Sequence, residues 1–189
     1  MRLLKLISII VTIVCVLWVV YLYTSHIQIT SDFCSDLKKG KDLCISYKSP
    51  CEATTPQDPI SCVARMLTQA GEIDAARVLC SKKGNVVENF CLAFSLIVKG
   101  VDSALLECDK ISGPEKYHCR GDVWKEVGNV TRGLEECDEI LTIYQNDYDS
   151  FYKCKASVYK AISKDGALEF CKNITDVEIR KDCEILATV

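Results

Sequence analysis

The chain has 189 residues, with 23 Lys plus Arg against 26 Asp plus Glu, and 13 of its residues are cysteines. The mildly acidic balance argues against a nucleic-acid partner, because such partners are bound through clustered basic charge. A cytosolic location is also disfavoured, since disulfides do not persist there and free thiols are reactive. Metal binding is the alternative use of cysteine, but structural zinc sites usually contain Cys-x-x-Cys pairs and the sequence has none. We therefore expect an oxidising compartment, no metal and no cofactor.

The N-terminus carries an uncharged apolar stretch at residues 6–23, LISIIVTIVCVLWVVYLY, after a short basic tail at residues 1–5. With Leu3 and Leu4 it reaches the roughly 20 residues that a membrane-spanning helix needs. Basic charge before it and acidic charge after it predict a cytoplasmic N-terminus and an exported remainder. A cleaved signal peptide, which would release a secreted domain, is the alternative; its apolar core is shorter and ends in small residues. The sequence thus predicts a single-pass signal-anchor in the cell membrane, a linker at residues 24–33 and an extracellular domain at residues 34–189.

Twelve cysteines follow the anchor with a regular spacing. They are Cys34, Cys44, Cys51, Cys62, Cys80, Cys91, Cys108, Cys119, Cys137, Cys154, Cys171 and Cys183. From Cys51 onward, short gaps of 11 or 12 residues alternate with long gaps of 17 or 18, such as Cys62 to Cys80, and only the short gap from Cys137 to Cys154 is stretched. Equivalent cysteines are therefore 28 or 29 residues apart, with one longer period. A fixed period of this size indicates an array of stacked structural repeats.

Each long gap reads as two short helices joined by a turn. A helical pattern follows the first cysteine, and in three gaps a glycine lies nine residues after it, at Gly71, Gly100 and Gly128. Glycine at such a place is the expected left-handed stop of a helix. Six residues before the second cysteine stands a side chain that can cap a new helix. These residues are Asp74, Asp102, Thr131 and Asp165.

One position in the second helix is always small, which lets two helices approach closely. Its occupants are Ala76, Ala104, Gly133 and Ala167. The sequence therefore predicts an all-α fold of disulfide-stapled helical hairpins, a short α-solenoid similar to tetratricopeptide (TPR) arrays, with four full copies and partial ones at each end. Strands are disfavoured because Ala, Leu, Lys and Glu dominate the long gaps.

Two disulfide pairings fit the spacing. Pairing across the long gaps would close each hairpin but leaves Cys183 without a hairpin mate. Pairing across the short gaps uses all twelve cysteines. We favour the second scheme, although sequence cannot fix connectivity. Its pairs are Cys34 with Cys44, Cys51 with Cys62, Cys80 with Cys91, Cys108 with Cys119, Cys137 with Cys154, and Cys171 with Cys183.

Three phrases in the second half of the chain repeat a common form: CDKISGPEKYHC, CDEI and CKNITDVEIRKDC. They resemble a family of uncharacterised exported or membrane-anchored proteins, mainly archaeal, whose repeats pair Cys-x-x-Ile with a later Arg-Asp-x-Cys. The resemblance covers residues 108–183, departs at Arg180-Lys181-Asp182-Cys183 by one extra residue, and is loose from Cys34 to Cys91. It implies the exported compartment and the helical repeat, and no catalytic residues.

Catalysis would need His118, because the chain has only two histidines and the other, His26, precedes the cysteine array. His118 stands beside Cys119 in a segment that the favoured pairing closes. The acidic run Glu135, Glu136, Asp138 and Glu139 could imitate an acid–base pair or a calcium site, but charge runs on helix ends are usually solvated. We therefore expect no enzyme. Two sequons, at Asn129 and Asn173, fall in turns and predict glycosylation there.

The stretched connection between residues 138 and 153 is the irregular part of the array and is rich in aromatic residues. An insertion on one face of a solenoid often binds a partner, and tyrosine suits recognition surfaces, so Tyr144 and Tyr148 are the candidate binding residues. The alternative is that Phe151 and Tyr152 begin the next helix and pack inward. In either case we expect an extracellular interaction or scaffold protein with a protein partner and no small-molecule ligand. A structural subunit of a membrane or envelope complex is the first alternative, and an exported enzyme the second.

Overall fold

A computed structural model describes residues 33–188. The predicted tail, membrane segment and nearly all of the linker lie outside the described residues. Across residues 33–188, no helix combines the length and apolar character that a membrane crossing requires.

The described residues form ten α-helices and no strand. In chain order the helices are α1 (Lys41–Thr54), α2 (Pro59–Gln69), α3 (Ile73–Ser81), α4 (Asn85–Leu96), α5 (Val101–Cys108), α6 (Glu115–Glu126), α7 (Val130–Ile143), α8 (Tyr148–Tyr159), α9 (Lys164–Lys172) and α10 (Val177–Thr188). A single 3-10 turn, Ile97–Lys99, extends α4 toward α5. The all-α prediction is confirmed.

The helices pack as consecutive hairpins, α2 with α3, α4 with α5, α6 with α7, and α8 with α9. The helix α1 precedes the first hairpin and α10 follows the last. Each hairpin corresponds to one long cysteine gap. The predicted helical-hairpin repeat is therefore the observed unit.

Six disulfides connect the array, and each has the short-gap pairing. Cys34 bonds Cys44, Cys51 bonds Cys62, Cys80 bonds Cys91, Cys108 bonds Cys119, Cys137 bonds Cys154, and Cys171 bonds Cys183. The first ties the segment before α1 to α1. The other five each join one helix to the following helix, which begins the next unit, so no bond closes a hairpin on itself. The favoured pairing is confirmed, and neighbouring units are covalently linked.

The first helices of the four hairpins form one layer with the final helix, because α2, α4, α6, α8 and α10 each pack against the next in this series. These five helices are together called the first helices. The second helices have no comparable packing against one another. Ala76, Ala104 and Ala167 are fully buried between the layers. These small side chains bring the two helices of a hairpin close together, as predicted.

The turn glycines have the predicted left-handed backbone, with φ of 92° at Gly71, 128° at Gly100 and 83° at Gly128. The predicted helix caps are wrong by two residues. For example, Thr131 lies inside the first turn of α7, and the cap is Asn129, whose Oδ1 accepts from the Arg132 amide at 3.1 Å. Ser163 caps α9 in the same way.

The acids predicted as caps, Asp74, Asp102 and Asp165, all lie in the first turn of their helices. A carboxylate there interacts favourably with the partial positive charge of the helix N-terminus without accepting a cap bond. The same residue types therefore suit both places, which explains the displaced prediction.

Buried acids add polar links inside and between hairpins. Glu107 on α5 accepts from Arg77 on α3 at 3.3 Å, which joins two successive hairpins. Glu136 on α7 accepts from Arg120 on α6 at 2.7 Å, within one hairpin. Both carboxylates are at most 7% exposed in their side chains. Such buried charges are tolerated because each has a cationic partner.

Candidate functional site

The first helices line a groove with a volume of about 390 Å³. All five of them contribute, from the start of α2 at Ser61 to Leu186 near the end of α10. Leu186 is held in place through its carbonyl oxygen, which accepts from Lys160 Nζ at 2.8 Å. The groove is therefore formed jointly by all the helices of this layer and not by a single hairpin.

The apolar wall of the groove comes mainly from α4. Phe90 and Phe94 are half-buried there, while Val86 and Val87 are 41% and 48% exposed. Leu186 on α10 is also 47% exposed. These side chains leave uncovered apolar area beside one cavity, which is the usual composition of a binding surface.

A polar cluster on α6 and α8 lies at the same groove. The carboxylate of Asp122 accepts from Ser157 Oγ at 2.6 Å and from Lys125 Nζ at 2.8 Å. Its second oxygen lies 3.5 Å from Nε2 of His118. Asp122 is 8% exposed, and these contacts satisfy its charge from both α6 and α8.

The environment shifts both titratable groups of this cluster. Burial lowers the pKa of His118 below its ordinary value, and the Lys153 ammonium lowers it further, although Asp122 opposes the shift. The imidazole is therefore neutral at neutral pH. Burial alone would raise the pKa of Asp122, but the Lys125 ammonium and the Ser157 hydroxyl hold it below its usual range. Asp122 is ionised.

The order of the cluster differs from that of a hydrolase. In a nucleophile relay the histidine lies between the hydroxyl and the carboxylate and takes the hydroxyl proton. Here Asp122 lies between the other two, and the Ser157 hydroxyl donates to the carboxylate. The contacts compensate the charge of Asp122, and they do not make the Ser157 hydroxyl a nucleophile through His118.

A second, smaller cavity of about 90 Å³ shares three lining residues with the groove: Glu115, His118 and Lys153. It continues toward Ser150 on α8 and Ile179 on α10. These three side chains therefore stand where two cavities meet. Sequence reasoning considered His118 only as a catalytic base. The sequence did contain an indication of this site. Glu115, His118 and Asp122 are spaced three and four residues apart, which places them on one face of α6.

The stretched connection is mostly helical. The helix α7 continues to Ile143, and α8 begins at Tyr148, so only residues 144–147 are outside helices. The ring of Tyr144 is half-buried and packs edge-on against Tyr117, with centroids 6.4 Å apart. Tyr148 is 49% exposed and stacks on Tyr152. The structure places Tyr148 at the surface and Tyr144 against the core.

The two sequon asparagines are both exposed. Asn129 uses its carbonyl oxygen as the cap of α7. Asn173 follows α9, and its Nδ2 donates to the carbonyl of Glu169 at 2.9 Å. Thr175 of the second sequon donates its hydroxyl to Asp149. Glycosylation at either asparagine stays a prediction.

Three of the four acids in the run on α7 pair with neighbouring cations. Glu135 pairs with Arg132 at 2.8 Å, and Asp138 pairs with Lys155 at 2.8 Å. Glu136 is bound by Arg120 and receives a further bond from Trp124 Nε1 at 3.2 Å. Within residues 33–188 no group of three or more His, Cys, Asp or Glu side chains could hold a metal ion.

Comparison with known proteins gives no relative: no family model, no curated protein and no solved structure matches the chain. The resemblance to the archaeal cysteine-repeat family therefore rests on the three cysteine phrases alone. What the structure does establish is a cysteine-rich, all-helical protein of consecutive hairpins, joined by six disulfides.

Proposed function

We propose that the chain is a membrane-anchored extracellular interaction domain whose groove binds a segment of another protein. The observation that carries this proposal is the groove itself, because all five first helices line it. Val86, Val87 and Leu186 expose apolar area into it. Solenoids characteristically use the surface made by equivalent helices of successive repeats for binding.

The six disulfides support an exported location, since bonds at every junction of the array persist only in oxidising surroundings. The apolar stretch at residues 6–23 supports the anchor through its length and flanking charges. From the end of that stretch at Tyr23 to Phe33 the chain can extend by at most about 36 Å. An anchored domain would thus stay near the membrane surface and meet partners there.

The polar cluster supports binding over catalysis. Ser157 donates its hydroxyl hydrogen bond to the Asp122 carboxylate, and this carboxylate is a weak base because Lys125 already pairs with it. The neutral imidazole of His118 lines the groove without contacting a hydroxyl nucleophile among the described residues. These groups can donate and accept hydrogen bonds to a bound chain.

The test is chemical crosslinking of the full-length chain in native membranes, followed by identification of the captured proteins. Val87→Glu places a charge on the apolar wall and should abolish a specific capture. Leu106→Glu is the matched control, because Leu106 is 65% exposed on α5 in the layer of second helices. The proposal is wrong if the wild type captures no specific protein, or if Val87→Glu captures the same proteins as the wild type.

Tyr144 and Tyr148 are proposed as a second contact surface. Tyr148→Ala removes an exposed ring and should weaken capture without unfolding the chain. Tyr144→Ala also removes packing against Tyr117, so its effect on stability must be measured alongside binding. If Tyr148→Ala leaves every capture unchanged, this surface has no role in binding.

A further inference from the structure

Lys153 is a half-buried cation that lines both the groove and the adjoining smaller cavity. Other lysines of this region have partners: Lys83 is bound by Asp58, and Lys125 by Asp122. Lys153, in contrast, forms neither an ion pair nor a hydrogen bond with any residue from 33 to 188. A charge that is partly removed from water is costly unless an opposite charge compensates it.

The acids near Lys153 do not serve as that compensation. Asp122 is occupied by Lys125 and Ser157. Glu115 lines the same two cavities but is exposed, so water solvates it, and it makes no ion pair with Lys153. His118 is uncharged because burial lowers its pKa. The cavity junction thus presents one uncompensated positive group.

The apolar wall lies in the same groove. Phe90 and Phe94 provide aromatic surface, and Val86 and Val87 provide exposed aliphatic surface. A ligand that fills this groove meets an apolar wall and a cation within one site. The matching chemistry is an apolar side chain accompanied by an anionic group.

We infer that the groove selects a protein segment in which an aromatic or aliphatic side chain stands next to an acidic one, with the carboxylate bound by Lys153. This inference rests on the proposed function, because it names the chemistry of the segment that the groove binds. A segment is favoured over a compact metabolite because the groove extends across five helices. Packed helices lie about 8–10 Å apart, so an extended chain can follow several of them.

The experiment uses the full-length chain in detergent and three pools of short, acetylated and amidated peptides. Each pool fixes one aromatic or aliphatic residue and follows it with Glu, Gln or Lys, while the other positions are random. Blocked termini ensure that the fixed side chain is the charge that differs. Binding is measured by equilibrium dialysis for the wild type and for Lys153→Gln, Lys153→Glu and Lys153→Arg.

The wild type should bind the Glu pool about tenfold more tightly than the Gln pool, as expected for one charge-assisted hydrogen bond. Lys153→Gln should remove this preference, Lys153→Arg should keep it, and Lys153→Glu should shift it to the Lys pool. The control Lys99→Glu makes the same charge change at an exposed residue in the turn after α4, and it should bind like the wild type. A merely structural role for Lys153 would not reverse the charge preference.

Two results would overturn the inference: a wild type without preference for the Glu pool, or a Lys153→Gln variant that keeps this preference. Val87→Glu separates that failure from failure of the proposed function. If it abolishes binding of all pools while the Lys153 variants change nothing, the groove binds segments but Lys153 does not select them. If Val87→Glu binds every pool like the wild type, the groove is not the binding site.

Discussion

Gly121 and Gly133 bring the backbones of α6 and α7 into contact. A Cβ placed on Gly133 would lie 2.8 Å from the carbonyl oxygen of Gly121 and 2.9 Å from the Val158 side chain. Real Cβ atoms do not approach backbone so closely, so α6 and α7 would have to separate. This contact is the tightest use of the small residue that recurs in every second helix.

Gly133→Ala should therefore lower the free energy of unfolding by about 1–3 kcal/mol, the usual cost of overpacking. The cost should appear although alanine is intrinsically better in a helix than glycine by about 1 kcal/mol. Chemical denaturation followed by circular dichroism measures it. Gly121→Ala should cost less, because its Cβ would meet its nearest neighbours at 3.1 Å. A stabilised Gly133→Ala variant would contradict the close approach.

Glu136 is expected to be the most sensitive acid of α7. Arg120 donates to it through Nε at 2.7 Å and Nη2 at 3.0 Å, and the carboxylate is nearly buried. Glu136→Ala leaves the guanidinium without this partner and should cost about 3 kcal/mol in unfolding free energy. Glu135→Ala is the neighbouring control, since its ion pair is exposed and should contribute less than about 0.5 kcal/mol. Equal effects from the two variants would refute the difference.

His118 should make the stability of the fold depend on pH. Burial lowers the pKa of His118 in the folded protein, so below pH of about 6.5 the unfolded chain binds a proton that the folded one does not. Stability is therefore full above that pH and falls as the pH decreases toward the folded-state pKa. Thermal unfolding at pH 7 and pH 5.5 measures the loss, and His118→Gln should reduce it. An unchanged pH dependence in His118→Gln would assign the loss to other groups.

Asp149 should control the start of α10. Its carboxylate accepts from the backbone amides of Thr175 at 2.7 Å and Asp176 at 3.0 Å, which bridges the beginning of α8 to the residues before α10. Asp149→Ala should cost about 1 kcal/mol, like the loss of a helix cap, and should raise amide exchange in α10. Asp182→Ala changes an exposed acid within α10 and should have little effect. Comparable exchange in the two variants would exclude the capping role.

The disulfide connectivity is open to a direct check. Mass spectrometry of unreduced peptides should find six linked pairs, each spanning 10 to 17 residues of sequence. Replacing Cys80 and Cys91 together by Ala should lower the unfolding free energy by about 3 kcal/mol in the chain-entropy model. A peptide linking Cys91 to Cys108 would replace the observed pairing with one inside a hairpin.

The repeat and its pairing could be predicted because they depend on local spacing. Gly71 ends its helix because the turn there needs a residue with left-handed backbone, which glycine adopts readily. Cys171 and Cys183 are close enough in sequence to meet across a turn. The caps were harder, because Asp165 suits both a cap and the first turn of a helix, and Ser163 two residues earlier takes the cap.

The groove could not be predicted, because it depends on how units far apart in sequence pack together. Val86 and Leu186 line one cavity although 100 residues separate them. The sequence leaves the conformation of the stretched connection open for a related reason, and the structure agrees with the alternative in which Phe151 and Tyr152 belong to the next helix and pack inward. Helix length depends on what the added turns pack against, and here Tyr144 and Phe151 cover the small core around Cys137 and Val158. The number of residues between Cys137 and Cys154 shows that the connection is longer than its counterparts, but it does not show the conformation of the added residues.

The placement of the disulfides determines how the domain would respond to tension. A pull between the membrane side and a bound partner is transmitted through the chain from one unit to the next. The five sulfur bridges after the first each cross such a boundary and withhold the 11 to 17 residues that they span from extension. Only the hairpins between bridges can lengthen, so the contour would grow in discrete steps of one hairpin. Under load, the disulfide-linked boundaries between units would resist extension, and the hairpins between them would unfold.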